Sequence, residues 1–289
     1  VTTRHSALAA PQPTTALDAL ARAVITASLA AIDVLPGSRR TASQLDALAQ
    51  ARAQLTRMRA SPVTLPRPVV VFNGYRGWWG LASTVRDALR EATGSDDIIF
   101  VSYAHRGTFA QACDDARRTI AKHLGPPAAR GEVPFDAVGI SMGGLVARVL
   151  ATRGTTDADE GVLRVARGSD STLRIATLYT LSTPHRGAML ALRIAPDEAA
   201  RSMRPGSPLV RALHRAHEAR TGPALHCFGQ TRDAIVGVSN TAPRGVTPTR
   251  MPGPAFGSHF TSARNPVFWA HIAASLREGT SREHETSAP

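Results

Sequence analysis

Gly139-Ile140-Ser141-Met142-Gly143 sets a serine between two glycines in the pattern G-x-S-x-G. In a chain with 23 glycines the bare pattern is weak, so its flanks decide. An apolar, strand-like run from Phe135 to Ile140 enters it, and Gly144-Leu145-Val146-Ala147 opens a helix directly after it. A serine on so sharp a strand-to-helix turn is pushed into a strained, exposed position, and its neighbours must be small because bulk would clash. The helix N-terminus beneath it favours the negative charge that develops when a hydroxyl attacks a carbonyl. Ser141 is therefore the candidate nucleophile.

A serine hydroxyl alone is a poor nucleophile; it needs a base, and the base needs an orienting acid. For a serine on this kind of turn the partners follow in the chain as acid, then histidine. Of the 10 histidines, His259, His271 and His284 lie after the best acid candidate. His284 sits in the tail, and His271 lies within a helical pattern beside Trp269 and Ile272, where packing accounts for it. His259 lies in the glycine-flanked segment Gly257-Ser258-His259-Phe260, a loop that can bring a base over a nucleophile. Among the acids, Asp157, Asp159, Glu160 and Asp170 fall in a polar insertion and read as solvent-facing. Asp197, Glu198 and Glu218 fall in helical regions. Asp233 follows the apolar run Ala224 to Phe228 by a short turn, with Ile235 and Val236 to anchor its loop. That places it at the carboxyl edge of a sheet, where Ser141 also emerges. The oxyanion formed by attack needs two backbone donors. They are expected from the amide of Met142 and from the amide of Tyr75 in Phe72-Asn73-Gly74-Tyr75.

The elements that must hold these groups alternate. Residues 1 to 13 read as a loose start. Leu17, Leu20, Val24, Ala27, Ala31 and Leu35 repeat at helical spacing until Pro36-Gly37, and a second helix begins at a capping box of Thr41 and Gln44. After the proline-rich joint from Ser61-Pro62 to Pro68 come strands at Val69 to Phe72, Ile98 to Val101, Phe135 to Ile140, Leu173 to Leu181 and Ala224 to Phe228, with a short one near Val246 to Met251. Helices lie between them, one of them from about Thr108 to Leu124, and a last helix covers about Asn265 to Arg277. Strands apolar on both faces and alternating with helices predict an α/β fold whose mainly parallel sheet is covered on both sides. The organisation expected is an N-terminal helical extension over 1–65, a catalytic domain over 66–278 with a helical cap insertion at about 188–222, and a disordered tail over 279–289.

Composition excludes some functions. The net charge is +12, but of 34 basic residues only Lys122 is lysine. The arginines are scattered, with adjacent pairs only at Arg39-Arg40 and Arg117-Arg118, and aromatics are 5% of the chain. This is a solvated basic surface and not a nucleic-acid site; it suits anionic substrates or lipid surfaces. No apolar run spans a bilayer. Cys113 and Cys227 read as two buried free thiols. The chain begins at Val1, as a processed form or a GTG-started one would, and shows no intact signal peptide. A cytoplasmic and a secreted bacterial location both stay open.

Taken together, these pieces resemble the lipase and esterase branch of the α/β-hydrolase superfamily over roughly Pro68 to Arg277. Leu181-Ser182-Thr183-Pro184-His185-Arg186-Gly187 is similar to the T-P-H-x-G segment of bacterial triacylglycerol lipases and of GPI-inositol-deacylase-like lipases. Pro205-Gly206-Ser207-Pro208-Leu209 with Leu213 resembles a segment of their helical cap. The N-terminal helices stand where many such hydrolases carry their first two strands. Those lipases commonly have His-Gly where this chain has Asn73-Gly74. The resemblance also assigns His185 to loop support and not to catalysis.

The implied activity is hydrolysis of a carboxylic ester by Ser141, Asp233 and His259, a mechanism that needs no metal or cofactor. Met189, Leu190, Leu192, Ile194, Leu209, Val210 and Leu213 are candidates for an acyl pocket, although core packing explains them equally. Trp78 and Trp79 are placed to border its entrance. Acyl transfer or thioester hydrolysis by the same triad, and a non-catalytic lipid-binding protein of this fold, are the alternatives.

Overall fold

The computed structural model describes residues 41–75, 80–103, 107–254 and 257–286. The helix expected from Leu17 to Leu35, and Trp78 and Trp79, lie outside the described residues.

The described chain opens with helix α1 (Ala42–Arg59), started by the expected capping box: the Thr41 hydroxyl accepts from the Gln44 amide and the Gln44 side chain accepts from the Thr41 amide. Strand β1 (Val69–Phe72), helix α2 (Leu81–Thr93), strand β2 (Ile98–Val101), helix α3 (Phe109–Leu124) and the short α4 (Pro126–Ala129) follow. Then come β3 (Phe135–Ile140), α5 (Met142–Ala151), α6 (Asp157–Arg167) and β4 (Ile175–Leu181). Helices α7 (Glu198–Ser202) and α8 (Pro208–Glu218) lead to β5 (Ala224–Gln230) and β6 (Thr249–Met251), and α9 (Ser258–Thr261) and α10 (Pro266–Thr286) end the chain. The last helix continues past the Arg277 end that the apolar pattern marks.

The six strands form one sheet in the order β2-β1-β3-β4-β5-β6, and every described pair is parallel. Parallel neighbours need crossovers, and those crossovers put helices on both faces. The alternation along β1 shows the two cores. Val70 and Phe72 face a core that contains Ala112, Leu145, Leu163 and Leu213 from α3, α5, α6 and α8. Val69 and Val71 face the other, with Leu89, Phe268 and Ile272 from α2 and α10. All four β1 side chains are buried, so the strand reads as a continuous apolar run and not as an alternation.

Two expectations change. The polar insertion after α5 is the amphipathic helix α6, capped by Thr156. Asp159 is not solvent-facing: it is buried, and Arg215 Nε donates to it at 2.8 Å. Second, the later half of the stretch 188–222 is α8, whose Leu209, Val210 and Leu213 are buried, the first and last of them in the core beneath the sheet. Met189, Leu190, Leu192 and Ile194, in contrast, are exposed. Cys113 and Cys227 are both buried free thiols, as expected.

Candidate active site

Ser141 stands between β3 and α5 with φ 51° and ψ −121°, a left-handed conformation that side chains other than glycine rarely adopt. Such a conformation costs about 1–3 kcal/mol and persists only where the surroundings enforce it. Here they do. The Ser141 amide donates to the Leu181 carbonyl at 2.8 Å, and its carbonyl accepts from the Gly144 amide at 3.2 Å. The glycines around it are required by close approach. A Cβ on Gly139 would lie 2.3 Å from Gly144 Cα, and one on Gly143 would lie 2.4 Å from the carbonyl oxygens of Phe72 and Asn73. On Gly144 it would meet the Thr183 hydroxyl at 2.1 Å. The weak five-residue pattern thus becomes a turn pressed against β1 and the loop after β4.

A strained serine on a β3-to-α5 turn, in a parallel sheet of this strand order, decides the architecture. The fold is that of an α/β-hydrolase. Its described part has one six-stranded parallel sheet, with helix α1 preceding the first strand.

The three side chains picked from the sequence meet at the carboxyl edge of this sheet. His259, on α9, has Nε2 2.8 Å from Ser141 Oγ and Nδ1 2.8 Å from Asp233 Oδ2. Asp233 follows β5. Its other oxygen, Oδ1, accepts from the amides of Ile235 at 3.0 Å and Val236 at 2.9 Å. Burial works to raise the Asp233 pKa. The His259 ring, the Val236 amide and the nearby Ser182 hydroxyl outweigh it and hold the carboxyl below its ordinary value. An ionised Asp233 is an acceptor only, so the proton of the imidazole sits on Nδ1 and leaves Nε2 to accept from Ser141. The arrangement can take a proton from the serine hydroxyl.

Supporting contacts hold this chain in place. Thr261 Oγ1 donates to Gln230 Oε1 at 2.8 Å, which ties the histidine turn to the end of β5, and Ser262 Oγ donates to the His259 carbonyl at 2.8 Å. Nothing local in the sequence marks a buried glutamine at a strand end, so the role of Gln230 shows only in the fold. The loop after β1 is held by Asn73 where the resembled lipases carry histidine: Asn73 Oδ1 accepts from the Gly74 amide at 2.9 Å, and the buried Tyr103 hydroxyl donates to the Asn73 carbonyl. A Cβ on Gly74 would lie 3.6 Å from Ser141 Cβ, so this loop runs beside the serine. Tyr75 follows it, and its hydroxyl bonds Asp197 Oδ2 at 2.5 Å, fastening the loop to the start of α7. Met142 is the first residue of α5, where an amide has no carbonyl partner within its own helix.

His271 is exposed on α10, its ring tilted against Phe228 at 6.3 Å between centroids, far in role from the Ser141 chain. His185 is buried and meets Thr180 Oγ1 at 3.0 Å and Arg148 Nη1 at 3.2 Å. Among the described residues no group of three or more His, Cys, Asp or Glu side chains could hold a metal ion.

No protein-family model and no curated protein matches the chain. Among solved structures it is similar to phospholipase PlaB from Legionella pneumophila at 11% identity, over 60% of this chain and 42% of that one, with a TM-score of 0.39. A second PlaB structure, in complex with thio-NAD, matches over 74% of this chain and 62% of that one, also at 11% identity, with a TM-score of 0.44. The chain thus spans less than two thirds of either PlaB chain. The esterase domain of a Rhodothermus marinus protein is similar at 18% identity, over 75% of this chain and 90% of that one, with a TM-score of 0.44.

Proposed function

We propose that this chain is a serine hydrolase that cleaves carboxylic esters through an acyl-enzyme. The observation that carries the reading is the unbroken chain from Ser141 Oγ to His259 Nε2 and from His259 Nδ1 to Asp233, both links 2.8 Å long. Ser141 Oγ attacks the ester carbonyl while His259 takes its proton, and Asp233 stabilises the imidazolium that results. The amides of Met142 and Tyr75 bind the oxyanion. His259 then returns the proton to the leaving alcohol as the carbon–oxygen bond of the tetrahedral intermediate breaks. In the second half His259 takes a proton from water, whose oxygen attacks the acyl carbon, and Ser141 leaves with that proton restored.

The segment beside the site favours an ester with an apolar acyl part. Leu190 donates its amide to the Ile235 carbonyl at 3.0 Å, and Met189 to the Val236 carbonyl at 3.4 Å, so this segment is laced to the Asp233 loop. Met189 is 47% exposed and Leu190 40%, with Leu192 and Ile194 beyond them. Exposed apolar side chains grouped at the edge of a site are suited to hydrocarbon and to peripheral contact with a lipid surface. Among the described residues no helix is long and apolar enough to cross a membrane.

Labelling with a fluorophosphonate, followed by an acyl chain-length series of p-nitrophenyl esters, tests this reading. Ser141 should be the modified residue, and Ser141→Ala should neither label nor turn over. An Ser141→Ala protein with full esterase activity would overturn the assignment. Adding an alcohol acceptor or a thioester substrate to the same assay separates acyl transfer and thioester hydrolysis from ester hydrolysis, since the three differ only in what enters and leaves the acyl-enzyme.

A further inference from the structure

Helix α5 starts directly after Ser141, and near its other end, about 10 Å along the axis from the serine, it carries a cation that the fold leaves uncompensated. Arg148 is 2% exposed. Its Nη2 donates to the Leu213 carbonyl at 2.5 Å and its Nη1 lies 3.2 Å from His185 Nδ1. Among the described residues no carboxylate pairs with it. Burial lowers its pKa to about 10, so it stays charged at neutral pH. A buried charge without an opposite charge is costly, and natural proteins rarely keep one without a use.

Arg148 lies on the wall of a cavity of about 230 Å³ that Thr152, His217, Arg220 and residues 222–225 complete. Thr152 is 1% exposed and its hydroxyl has no hydrogen-bond partner. Gly222 closes over it: a Cβ there would sit 2.7 Å from Thr152 Oγ1. Arg220 holds the left-handed conformation, φ 55°, a position where glycine would be unstrained. Glu218, the acidic group that acts on His217, is itself paired with His214 at 3.3 Å. The lining of the cavity therefore includes two arginines, a histidine whose ring also bonds the Arg244 backbone, and a threonine whose buried hydroxyl has no partner, and it includes no acid.

We infer that this cavity binds a phosphate or phosphate-monoester dianion, held by Arg148 and Arg220 with donors from Thr152 and His217. Two arginines match the charge of a dianion, and guanidinium forks suit tetrahedral oxyanions. The volume is several times the roughly 30 Å³ that one water occupies, which leaves room for a small ester substituent. The site is separate from the serine chemistry and does not depend on it.

Isothermal titration of the full chain with sodium phosphate, and separately with glycerol 3-phosphate, over a constant chloride background, tests this. Saturable binding at one site is expected. Because losing one charge-assisted bond is worth about tenfold in affinity, Arg220→Ala and Thr152→Val should each weaken it about tenfold, while Ser141→Ala should leave it unchanged. Arg148→Met is a harsher change in a buried position; the two milder variants keep the test decisive if that protein fails to fold. Monoester binding much tighter than phosphate points to a headgroup-like source, and equal binding to free phosphate; either supports the site. No saturable binding up to about 20 mM, a limit far weaker than an ordinary specific site, would overturn it. So would equal competition by chloride, or affinity unchanged in both Arg220→Ala and Thr152→Val.

Discussion

Asp233 divides its two carboxylate oxygens: Oδ2 faces His259 Nδ1 at 2.8 Å, and Oδ1 is taken by the Ile235 and Val236 amides. The loop geometry and the orientation of the imidazole therefore depend on different atoms of one side chain. Asp233→Asn can keep Oδ1 and its two amide bonds, but it presents an NH2 group to Nδ1 and forces the imidazole into the wrong tautomer. Folding should survive and kcat should fall by about 10⁴-fold. Steady-state kinetics beside a thermal melt measure both; an Asn variant at full rate would remove Asp233 from the mechanism.

His259 and His271 lie twelve residues apart and differ in everything around them. The first bridges Ser141 and Asp233, and the second is exposed on α10 with its ring against Phe228. His271→Ala should leave kcat within about twofold, whereas His259→Ala should lose several orders of magnitude. If both variants keep activity, some other base serves Ser141.

The site was legible because its members are marked locally. Ser141 has a strand before it and a helix after it, His259 has Gly257 beside it, and Asp233 closes a strand. Their order in the chain did the rest. What stayed hidden depends on contacts distant in sequence. Asp159 reads as a surface acid in a polar stretch, yet Arg215, 56 residues on, draws it inward. The apolar residues of 188–222 look alike in sequence, but Leu209 and Leu213 belong to a core helix while Leu190 and Ile194 are exposed. An apolar pattern states that a face wants cover, not which surface provides it. Asn73 shows a third case: it departs from the resembled histidine and still holds its loop, through its bond to the Gly74 amide.

Gly143 tests how tightly the serine turn is built. The Cβ added by Gly143→Ala would meet two backbone carbonyl oxygens, of Phe72 and Asn73, each at 2.4 Å. Neither belongs to a flexible side chain, so β1 or the turn must move. The expected cost is roughly 3 kcal/mol or more, and a fall in Tm of about 5 °C or more, with activity lost because Ser141 shifts against His259. A protein that melts like wild type would show that the turn is looser than these distances require.

Asp159 supplies a prediction about pH. Its bond from the Arg215 side chain outweighs the upward push of burial, and with Thr155 and Thr156 it lowers the carboxyl from 3.8 to about 2. Because the folded pKa lies below the unfolded one, the stabilisation is fully present above pH 3.8 and is lost as pH falls through about 2. Asp159→Asn should therefore melt below wild type at neutral pH, and the gap should narrow as the pH drops from 3.8 toward 2. Arg215 is 47% exposed, so salt should shrink the gap as well. Thermal melts across pH and ionic strength check both slopes. A difference that stays constant across that range would mean that asparagine disturbs the packing of α6 on α8, and that the charge pair contributes nothing.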